Sequence, residues 1–515
     1  MKRTIENSIL YLAVLAAALF TFAAQASFAS AASTGVVTMT FDDGNPSQYE
    51  NAVPIMKAGG QTATFYVNSG WLGSSEWYMT WEQIANLHNS GFEIAAHTLT
   101  HAELPPLTQA QINTEINQDY LNFVARGITP INFAVPFGAY DNKTTASVAR
   151  KYNSLRGFHN QGLNVWPYNK YILYVRYITN QTSLDQVKAW VDEAVVQDAW
   201  LILVFHEILP LVDPTDDYSW EIAKFQAFID YLNGKGVKAK TIHEVLSAYT
   251  NLTVNPSFEN VLTGWRTDNA SVVTLDTVNR GSYPSPRNSI KMAGGAIAGH
   301  LFSEKIPVSF GTTYGLRAYT DSQGLTAGEV GFFIDEYDEA GNWISGKWLG
   351  GFTNQNVVDK SFQYTPTSGA VATAAVQVYM TAGSSGSVYI DNVELFAKSQ
   401  LPPPPPTPTP PPPSPTPPPP TPTPPPPTPT PPPPTPTPPP PDNDDDDGDD
   451  DDRRRPWTDG KTFTPPATDD DDDDGDDSDS DDDDHKSPTT DRRTFTPPTT
   501  IGEIIRRSTS WWKGM

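Results

Sequence analysis

The stretch Val36-Val37-Thr38-Met39-Thr40-Phe41-Asp42-Asp43-Gly44 has the pattern of a buried strand that ends in two adjacent carboxylates. Its first six residues are mostly β-branched or apolar, as is typical of strands buried on both faces. Gly44 permits the tight turn that must follow. On their own, the two carboxylates could be solvated side chains of an Asp-Gly turn. In an α/β barrel, however, chemistry is placed at the ends of the strands, so Asp42 and Asp43 are candidate site residues.

Strand-like and helix-like segments alternate over residues 36–250, which predicts an α/β sheet or barrel. Candidate site residues follow three further strands. They are His97 and His101 after the third strand, Pro136-Phe137-Gly138 after the fourth, and His206 after the last. The predicted strands cover residues 36–41, 63–67, 92–96, 132–135, 173–179 and 200–205.

The pair His97 and His101 predicts a metal site. The two histidines are four positions apart, so one helical turn after the strand would place both rings on the same side. Two imidazoles and one carboxylate with an open coordination position form a catalytic site of the Zn²⁺ type. The chain has no cysteine, which excludes thiolate ligands and disulfides. A solvated histidine pair is the alternative.

In this order, Thr40-Phe41-Asp42-Asp43-Gly44 and His97-Thr98-Leu99-Thr100-His101 resemble the first two motifs of the polysaccharide deacetylase family, the NodB homology domain of carbohydrate esterase family 4. The resemblance covers essentially all of residues 36–250 and implies a distorted (β/α) barrel. It implies that Asp43 is the third metal ligand and Asp42 the general base. It also implies that the backbone N–H of Phe137 stabilises the oxyanion and that His206 protonates the leaving amine.

The third motif departs from the family pattern, because Ala134 stands where an arginine commonly orients the catalytic aspartate. A fourth motif is also missing. The stretch 133–138 is similar to that of the bacterial branch that deacetylates poly-β-1,6-N-acetylglucosamine. Arg176 is a candidate for the missing cation, and a surface arginine is the alternative. Expected substrate-binding residues in the barrel are Pro136, Phe137, Gly138 and Tyr140.

The sequence changes character at Asn251, where short alternating strands between Gly, Asn, Ser and Asp turns predict an all-β sandwich over 251–398. The two ends of this segment resemble carbohydrate-binding modules of the family 4/9 type, which implies a jelly-roll. Trp343 and Trp348, with Tyr337 and Phe352, are expected to form a sugar platform, and core packing is the alternative. Asp391 is a candidate ligand for a structural Ca²⁺, as in similar modules.

The two ends of the chain carry no folded domain in this interpretation. Residues 1–31 have the pattern of a secretory signal peptide, so the protein is expected to be secreted or at the cell surface, with no transmembrane helix left after cleavage. Residues 399–441 form a polyproline linker. Residues 442–515 form a disordered acidic tail whose partner the sequence does not indicate. Residues 401–515 hold 25 acidic and 10 basic residues of a chain with net charge −26, which argues against nucleic acid as a partner.

The sequence therefore predicts an exported, metal-dependent hydrolase of carbon–nitrogen bonds. It would use metal-activated water to remove N-acetyl groups from glucosamine units of a cell-wall or extracellular polysaccharide. Two alternatives remain: an acetyl ester hydrolase on xylan-like polymers, and a surface glycan-binding protein with little catalysis.

Overall fold

The computed structural model describes residues 35–398, except residues 213, 215, 216 and 279. The predicted signal peptide, the polyproline linker and the acidic tail lie outside the described residues. Among the helices that are described, none is both long enough and apolar enough to cross a bilayer.

Seven parallel strands close into a barrel, which confirms the predicted architecture of the first domain. Each strand pairs with the next one along the chain, and the seventh returns to the first, with Thr38 opposite Ile202. Because all seven run the same way, their carboxyl ends meet at one end of the barrel. The strands are β1 (Val36–Asp42), β2 (Thr64–Val67), β3 (Glu93–Ala96), β4 (Asn132–Ala134), β5 (Ser154–Gln161), β6 (Leu173–Tyr177) and β7 (Trp200–Phe205).

Helices occupy most of the connections between the strands. Thr80 and Thr108 each begin a helix by exchanging hydrogen bonds with Gln83 and Gln111, which satisfies N–H groups that a helix start leaves unpaired. A short parallel pair, β8 (Glu207–Leu209) and β9 (Ser219–Glu221), follows the barrel. The helices are Val53–Ala58, Trp81–Asn89, Gln109–Val124, Asn142–Ala149, Leu184–Gln197, Ile222–Lys235 and Ile242–Leu246, with a π turn at Gln48–Ala52 and a 3₁₀ turn at Pro136–Gly138.

Aromatic packing fixes the strand that carries the paired carboxylates. The ring of Phe41 lies 5.0 Å from that of Phe65 and 5.3 Å from that of Phe205, so β1 is held by both of its neighbours. All three rings are buried, and each contributes roughly 1.5–3 kcal/mol by leaving water. The backbone that carries Asp42 is thus held in a fixed position.

Two antiparallel sheets follow the barrel and share one apolar core, which agrees with a predicted sandwich; jelly-roll connectivity stays a prediction. The first sheet has the order β10-β13-β19-β16-β17, with β14 added beside β19, and the second has the order β11-β12-β20-β15-β18. The strands are β10 (Trp265–Thr267), β11 (Val273–Asp276), β12 (Ser289–Ala293), β13 (Gly299–Ser303), β14 (Ile306–Pro307), β15 (Tyr314–Ala327), β16 (Val330–Tyr337), β17 (Trp343–Phe352), β18 (Val357–Tyr364), β19 (Thr373–Met380) and β20 (Ser385–Ala397).

Candidate metal centre

The paired carboxylates lie where β1 ends and the chain turns. Asp42 is the last residue of β1 and is buried, whereas Asp43 is partly exposed. Asp43 and Gly44 both have positive φ, of 72° and 74°. A non-glycine residue rarely adopts this conformation, so the chain makes a tight turn at the end of β1.

The loop after β3 brings both predicted histidines to Asp43. Oδ1 of Asp43 lies 3.3 Å from Nε2 of His97 and 3.1 Å from Nε2 of His101. The potential ligand atoms of the three residues all lie within 4.8 Å of one another. Thr98 and His101 have positive φ, of 68° and 56°, so the loop is a strained turn and not the helical turn expected from the spacing.

The tautomer of His97 suits metal binding. Its Nδ1 lies 2.9 Å from the backbone carbonyl oxygen of Ala134, on β4. Because a carbonyl oxygen only accepts, Nδ1 is the donor and Nε2 remains available to a cation. Ala134, where the family commonly has arginine, thus supports the histidine through its backbone.

The electrostatics of Asp43 also fit a cation. Burial by itself raises the pKa of Asp43, but electrostatic interactions with the neighbouring imidazoles of His101 and His97 outweigh it, so the pKa lies well below its ordinary value. Oδ1 of Asp43 is a buried oxygen without a hydrogen-bond partner in the described structure. An ionised oxygen facing two imidazoles is a donor set that Zn²⁺ and similar divalent ions take.

Arg156 holds Asp42, and the sequence analysis missed it. Its Nη2 donates to both carboxylate oxygens of Asp42, at 2.7 and 2.6 Å, and both side chains are buried. The guanidinium also lies 4.8 Å from the ring centre of Tyr66. The proposal that Arg176 supplies this cation is wrong, because Arg176 lies 3.7 Å from Glu193 and reaches over Trp190. Arg156 lies on β5, and the predicted strands do not include β5, so no strand end in the sequence pointed to this residue.

His206, directly after β7, faces Asp42 from the strand that pairs with β1. Its Nε2 lies 4.0 Å from Oδ2 of Asp42, and its ring lies 4.8 Å from that of Tyr218. The side-chain amide of Gln48 donates to the backbone carbonyls of both Asp42 and His206, which ties the two strand ends together. Nδ1 of His206 has no hydrogen-bond partner in the described part of the chain.

Residues from the helix Gln109–Val124 anchor the histidine loop, and sequence reasoning did not find them. The carboxylate of Glu115 accepts hydrogen bonds from both the backbone N–H and the hydroxyl of Thr100. Asp119 is fully buried and accepts from the backbone N–H of Ser69. The amide of Asn68 donates to the carbonyl of His97. Together they offset the strain of the loop.

The third predicted motif lines the same end of the barrel. Pro136-Phe137-Gly138 forms a 3₁₀ turn in which Phe137 has φ 57°, is half exposed, and lies 4.6 Å from the ring of His101. A Cβ on Gly138 would come within 2.3 Å of Cβ of Phe158, so only glycine fits there. The hydroxyl of Tyr140 accepts from Asn160. On the other side, Trp71 lies 5.4 Å from the His101 ring.

The predicted sandwich residues separate into two groups. Trp343 and Trp348 on β17 are exposed, and they contact sandwich residues: Nε1 of Trp343 donates to Asp335, and Trp348 packs on Phe333. Phe352 is buried in the sandwich core, so its place in an open platform is wrong.

Asp391 uses both carboxylate oxygens on the backbone of its own domain. They accept hydrogen bonds from the N–H groups of Ser282 and Asn392. Calcium at Asp391 therefore stays a prediction from the resemblance.

Comparison with known proteins connects this geometry to one family. Residues 29–154 match the family model described as polysaccharide deacetylase, whose members are hydrolases. The matched range contains Asp42, Asp43, His97 and His101 and ends before Arg156 and His206.

The chain is similar to two curated fungal proteins over short segments. It is 38% identical over 109 residues to a "Probable peptidoglycan-N-acetylglucosamine deacetylase" of Arthroderma benhamiae, over 21% of this chain and 24% of that protein. It is 27% identical over 124 residues to a chitin deacetylase of the same organism, over 24% of this chain and 33% of that protein. The matched segments thus span a quarter to a third of these relatives.

Among solved structures, the chain is similar to the Xyl-CE4 domain of a multidomain xylanase from the hindgut metagenome of Trinervitermes trinervoides. The alignment has 18% identity and a TM-score of 0.31, and it covers 42% of this chain and 90% of that one.

Proposed function

We propose that this protein is a metal-dependent polysaccharide deacetylase that removes N-acetyl groups from glucosamine units of a cell-wall or extracellular polymer. The observation that carries the proposal is the convergence at one barrel end. The Asp43–His97–His101 cluster lies beside Asp42, which is itself held by Arg156 and faced by His206. The family match over 29–154 supports the same reaction class.

Asp43, His97 and His101 would hold the cation, for which Zn²⁺ suits the mixed nitrogen and oxygen ligands. When bound, a divalent ion there would polarise the acetyl carbonyl and make a water molecule more acidic. The chain's own part is to fix the ligand atoms. The Ala134 carbonyl sets the tautomer of His97, and Glu115 holds the loop that carries His101.

Asp42 is the group that takes a proton from the attacking water, and Arg156 keeps its carboxylate in place. The water oxygen forms a bond to the acetyl carbon while the carbon–nitrogen bond breaks. The backbone N–H of Phe137 would donate to the carbonyl oxygen as negative charge develops on it. His206 would give a proton to the departing nitrogen, so the products are acetate and a free amine.

A comparison of two substrates tests the proposed reaction. The full-length protein, loaded with Zn²⁺, is incubated with N-acetylglucosamine oligomers and, separately, with O-acetylated xylan, and released acetate is measured. We expect acetate and new free amines from the first substrate at a rate well above that from the second. Acetate from xylan alone would replace the amidase with an ester hydrolase, and acetate from neither would overturn the proposed enzyme.

We further propose that the sandwich presents a glycan-binding surface, different in composition from the predicted one. Five rings form a continuous row across the first sheet: Phe302, His300, Tyr379, Phe333 and Trp348. Neighbouring ring centres are 4.7–6.2 Å apart. The alternate residues on the same strands are buried in the core, so the row lies on the open face of the sheet. A row of amphipathic rings on such a face suits stacking on sugars.

Gly331 determines how Trp348 lies in this aromatic row. A Cβ at that position would come within 2.0 Å of Cη2 of Trp348, so the indole lies directly against the glycine. Trp343, exposed on the same strand as Trp348, donates its indole N–H to Asp335.

Affinity electrophoresis in gels containing soluble polysaccharide tests this surface. Trp348→Ala should weaken retention about three- to tenfold, since an aromatic contact contributes roughly 0.5–1.5 kcal/mol. Phe310→Ala is the control, because Phe310 is also an exposed sandwich ring but lies outside the row. Equal retention of the two variants would contradict the proposed surface.

A further inference from the structure

We infer that the sandwich positions Arg156 against Asp42, because it holds the connection between β5 and β6 of the barrel. The catalytic consequence rests on the proposed function. The mechanical coupling does not, because it follows from contacts that can be measured without substrate.

Strand β5 is tied to the segment that follows it. The backbone N–H of Leu155, the neighbour of Arg156, donates to the carbonyl of Lys170 at 2.9 Å. The hydroxyl of Tyr171 donates to the carbonyl of Tyr152 at 3.0 Å. A displacement of residues 166–172 would therefore displace the strand that carries the guanidinium.

The sandwich binds the same segment through polar contacts. The carboxylate of Asp359, on β18, accepts from the backbone N–H of Lys170 at 3.3 Å. The side-chain amide of Gln363, on the same strand, donates to the carbonyl of Trp166 at 2.7 Å. These bonds use the backbone of the connection, so they fix its path.

Apolar packing continues across the same boundary. The ring of Phe396 on β20 is buried, with centroids 5.7 Å from Trp166 and 5.4 Å from Tyr249. Tyr319 of the sandwich lies 5.9 Å from Tyr171. Barrel and sandwich therefore share a core at this boundary, and the second sheet of the sandwich is the docking face.

Buried charges make this boundary sensitive to single substitutions. Lys170 and Asp359 are both buried, on opposite sides of it. Burial raises the pKa of Asp359, while the positive charges of Lys170 and Arg317 oppose that rise. Burial lowers the pKa of Lys170, and Asp359, Glu394 and Asp391 oppose that change. Removing either charge alone leaves the other less compensated, which is more costly than removing both.

The test uses Asp359→Asn in the full-length protein. We expect hydrogen exchange to accelerate in peptides that cover residues 152–173, with β1 and β7 unchanged. Per bound Zn²⁺, kcat on soluble oligomers should fall about tenfold with KM unchanged, since a small displacement of a positioning residue acts on the reacting groups and not on binding.

Glu336→Gln is the matched control. Glu336 is an equally buried sandwich carboxylate, but its partners are the sandwich residues Ser345, Tyr364 and Thr367. It should disturb exchange in the sandwich and leave residues 152–173 and kcat unchanged. The double variant Asp359→Asn/Lys170→Met removes both charges and should restore much of the lost kcat.

Normal exchange at 152–173 in Asp359→Asn would overturn the inference, as would equal effects of Glu336→Gln on that segment. If the wild-type protein releases no acetate from any substrate, the proposed function fails, and the exchange measurement still decides the coupling.

Discussion

Arg156 shows how a single buried cation can hold a buried carboxylate in place. Its guanidinium is withdrawn from water beside Asp42 and over the ring of Tyr66. A buried pair of this kind is strongly destabilised when one member is removed, because the other keeps its charge in a poorly solvating place. The cation beside Asp42 thus comes from β5 and not from position 134, where Ala134 stands.

Replacing each of the two candidate arginines in turn separates their roles. Arg156→Met should lower kcat about 10²-fold, because Asp42 loses the partner that holds it in position. Arg176→Met should leave kcat close to that of the wild type, since its partners are Glu193 and Trp190. Kinetics on N-acetylglucosamine oligomers, with bound zinc measured for each variant, provide the comparison. A loss with Arg176→Met and none with Arg156→Met would contradict the structure.

Asp119 predicts a dependence of stability on pH. Burial raises the pKa of Asp119 to about 7. Between about pH 4 and pH 7 the folded state therefore keeps a proton that the unfolded chain releases, so the free energy of unfolding falls as pH rises through this window.

Asp119→Asn keeps the neutral shape of the side chain and should abolish this fall. Relative to the wild type, we expect its Tm to be raised at pH 8 and the advantage to vanish near pH 4, in melts of metal-free protein. A difference that is constant across this range would show that Asp119 does not titrate as its burial requires.

The site was predictable from sequence only where neighbouring residues carry the signal. Asp42, Asp43, His97 and His101 stand in compact motifs at strand ends, and the structure brings Asp43, His97 and His101 together. Arg156 interacts with a residue 114 positions away, and nothing beside it in the sequence marks that partner.

At the scale of elements, the histidine loop depends on the helix Gln109–Val124. The loop contains two residues with positive φ, Thr98 and His101, and its backbone is held by bonds to Glu115. Local strain persists when surrounding contacts determine the conformation. The helix thus supports the candidate metal centre although none of its residues is a candidate ligand.

Truncating Glu115, which holds the histidine loop, should weaken metal binding. Glu115→Ala removes both bonds to Thr100, and we expect zinc affinity to fall about 10- to 100-fold, as for other groups that orient metal ligands. Thr114→Ala is the control, because the hydroxyl of this exposed neighbour bonds within its own helix. Competition with a chromophoric chelator gives both affinities. Unchanged affinity in Glu115→Ala would mean that the loop holds its shape alone.

Element prediction failed at β5 for a physical reason. The strand Ser154–Gln161 carries Arg156, Gly157 and Asn160 and lacks both an apolar run and a regular alternation. Its pairing with β4 and β6 supplies what its own propensity does not. The other six strands are apolar enough for the sequence pattern to find them.

At the scale of the molecule, the change of sequence character at Asn251 lies between the helix Ile242–Leu246 and the first sandwich strand, β10. That pattern could not show how the barrel and the sandwich meet, because the contacts join residues such as Trp166 and Gln363 that lie 197 positions apart. The second sheet of the sandwich faces the barrel, and the first sheet carries the aromatic row. The two sheets thus have different proposed roles: contact with the barrel and glycan binding.

The measurement that tests the central claim most directly is acetate release as a function of bound zinc in the full-length protein. Metal-stripped protein should release no acetate from N-acetylglucosamine oligomers, and activity should rise with added zinc to a plateau at one ion per chain. Asp42→Asn should bind the same ion with activity about 10²- to 10⁴-fold lower. Full activity in stripped protein, or in Asp42→Asn, would contradict the account.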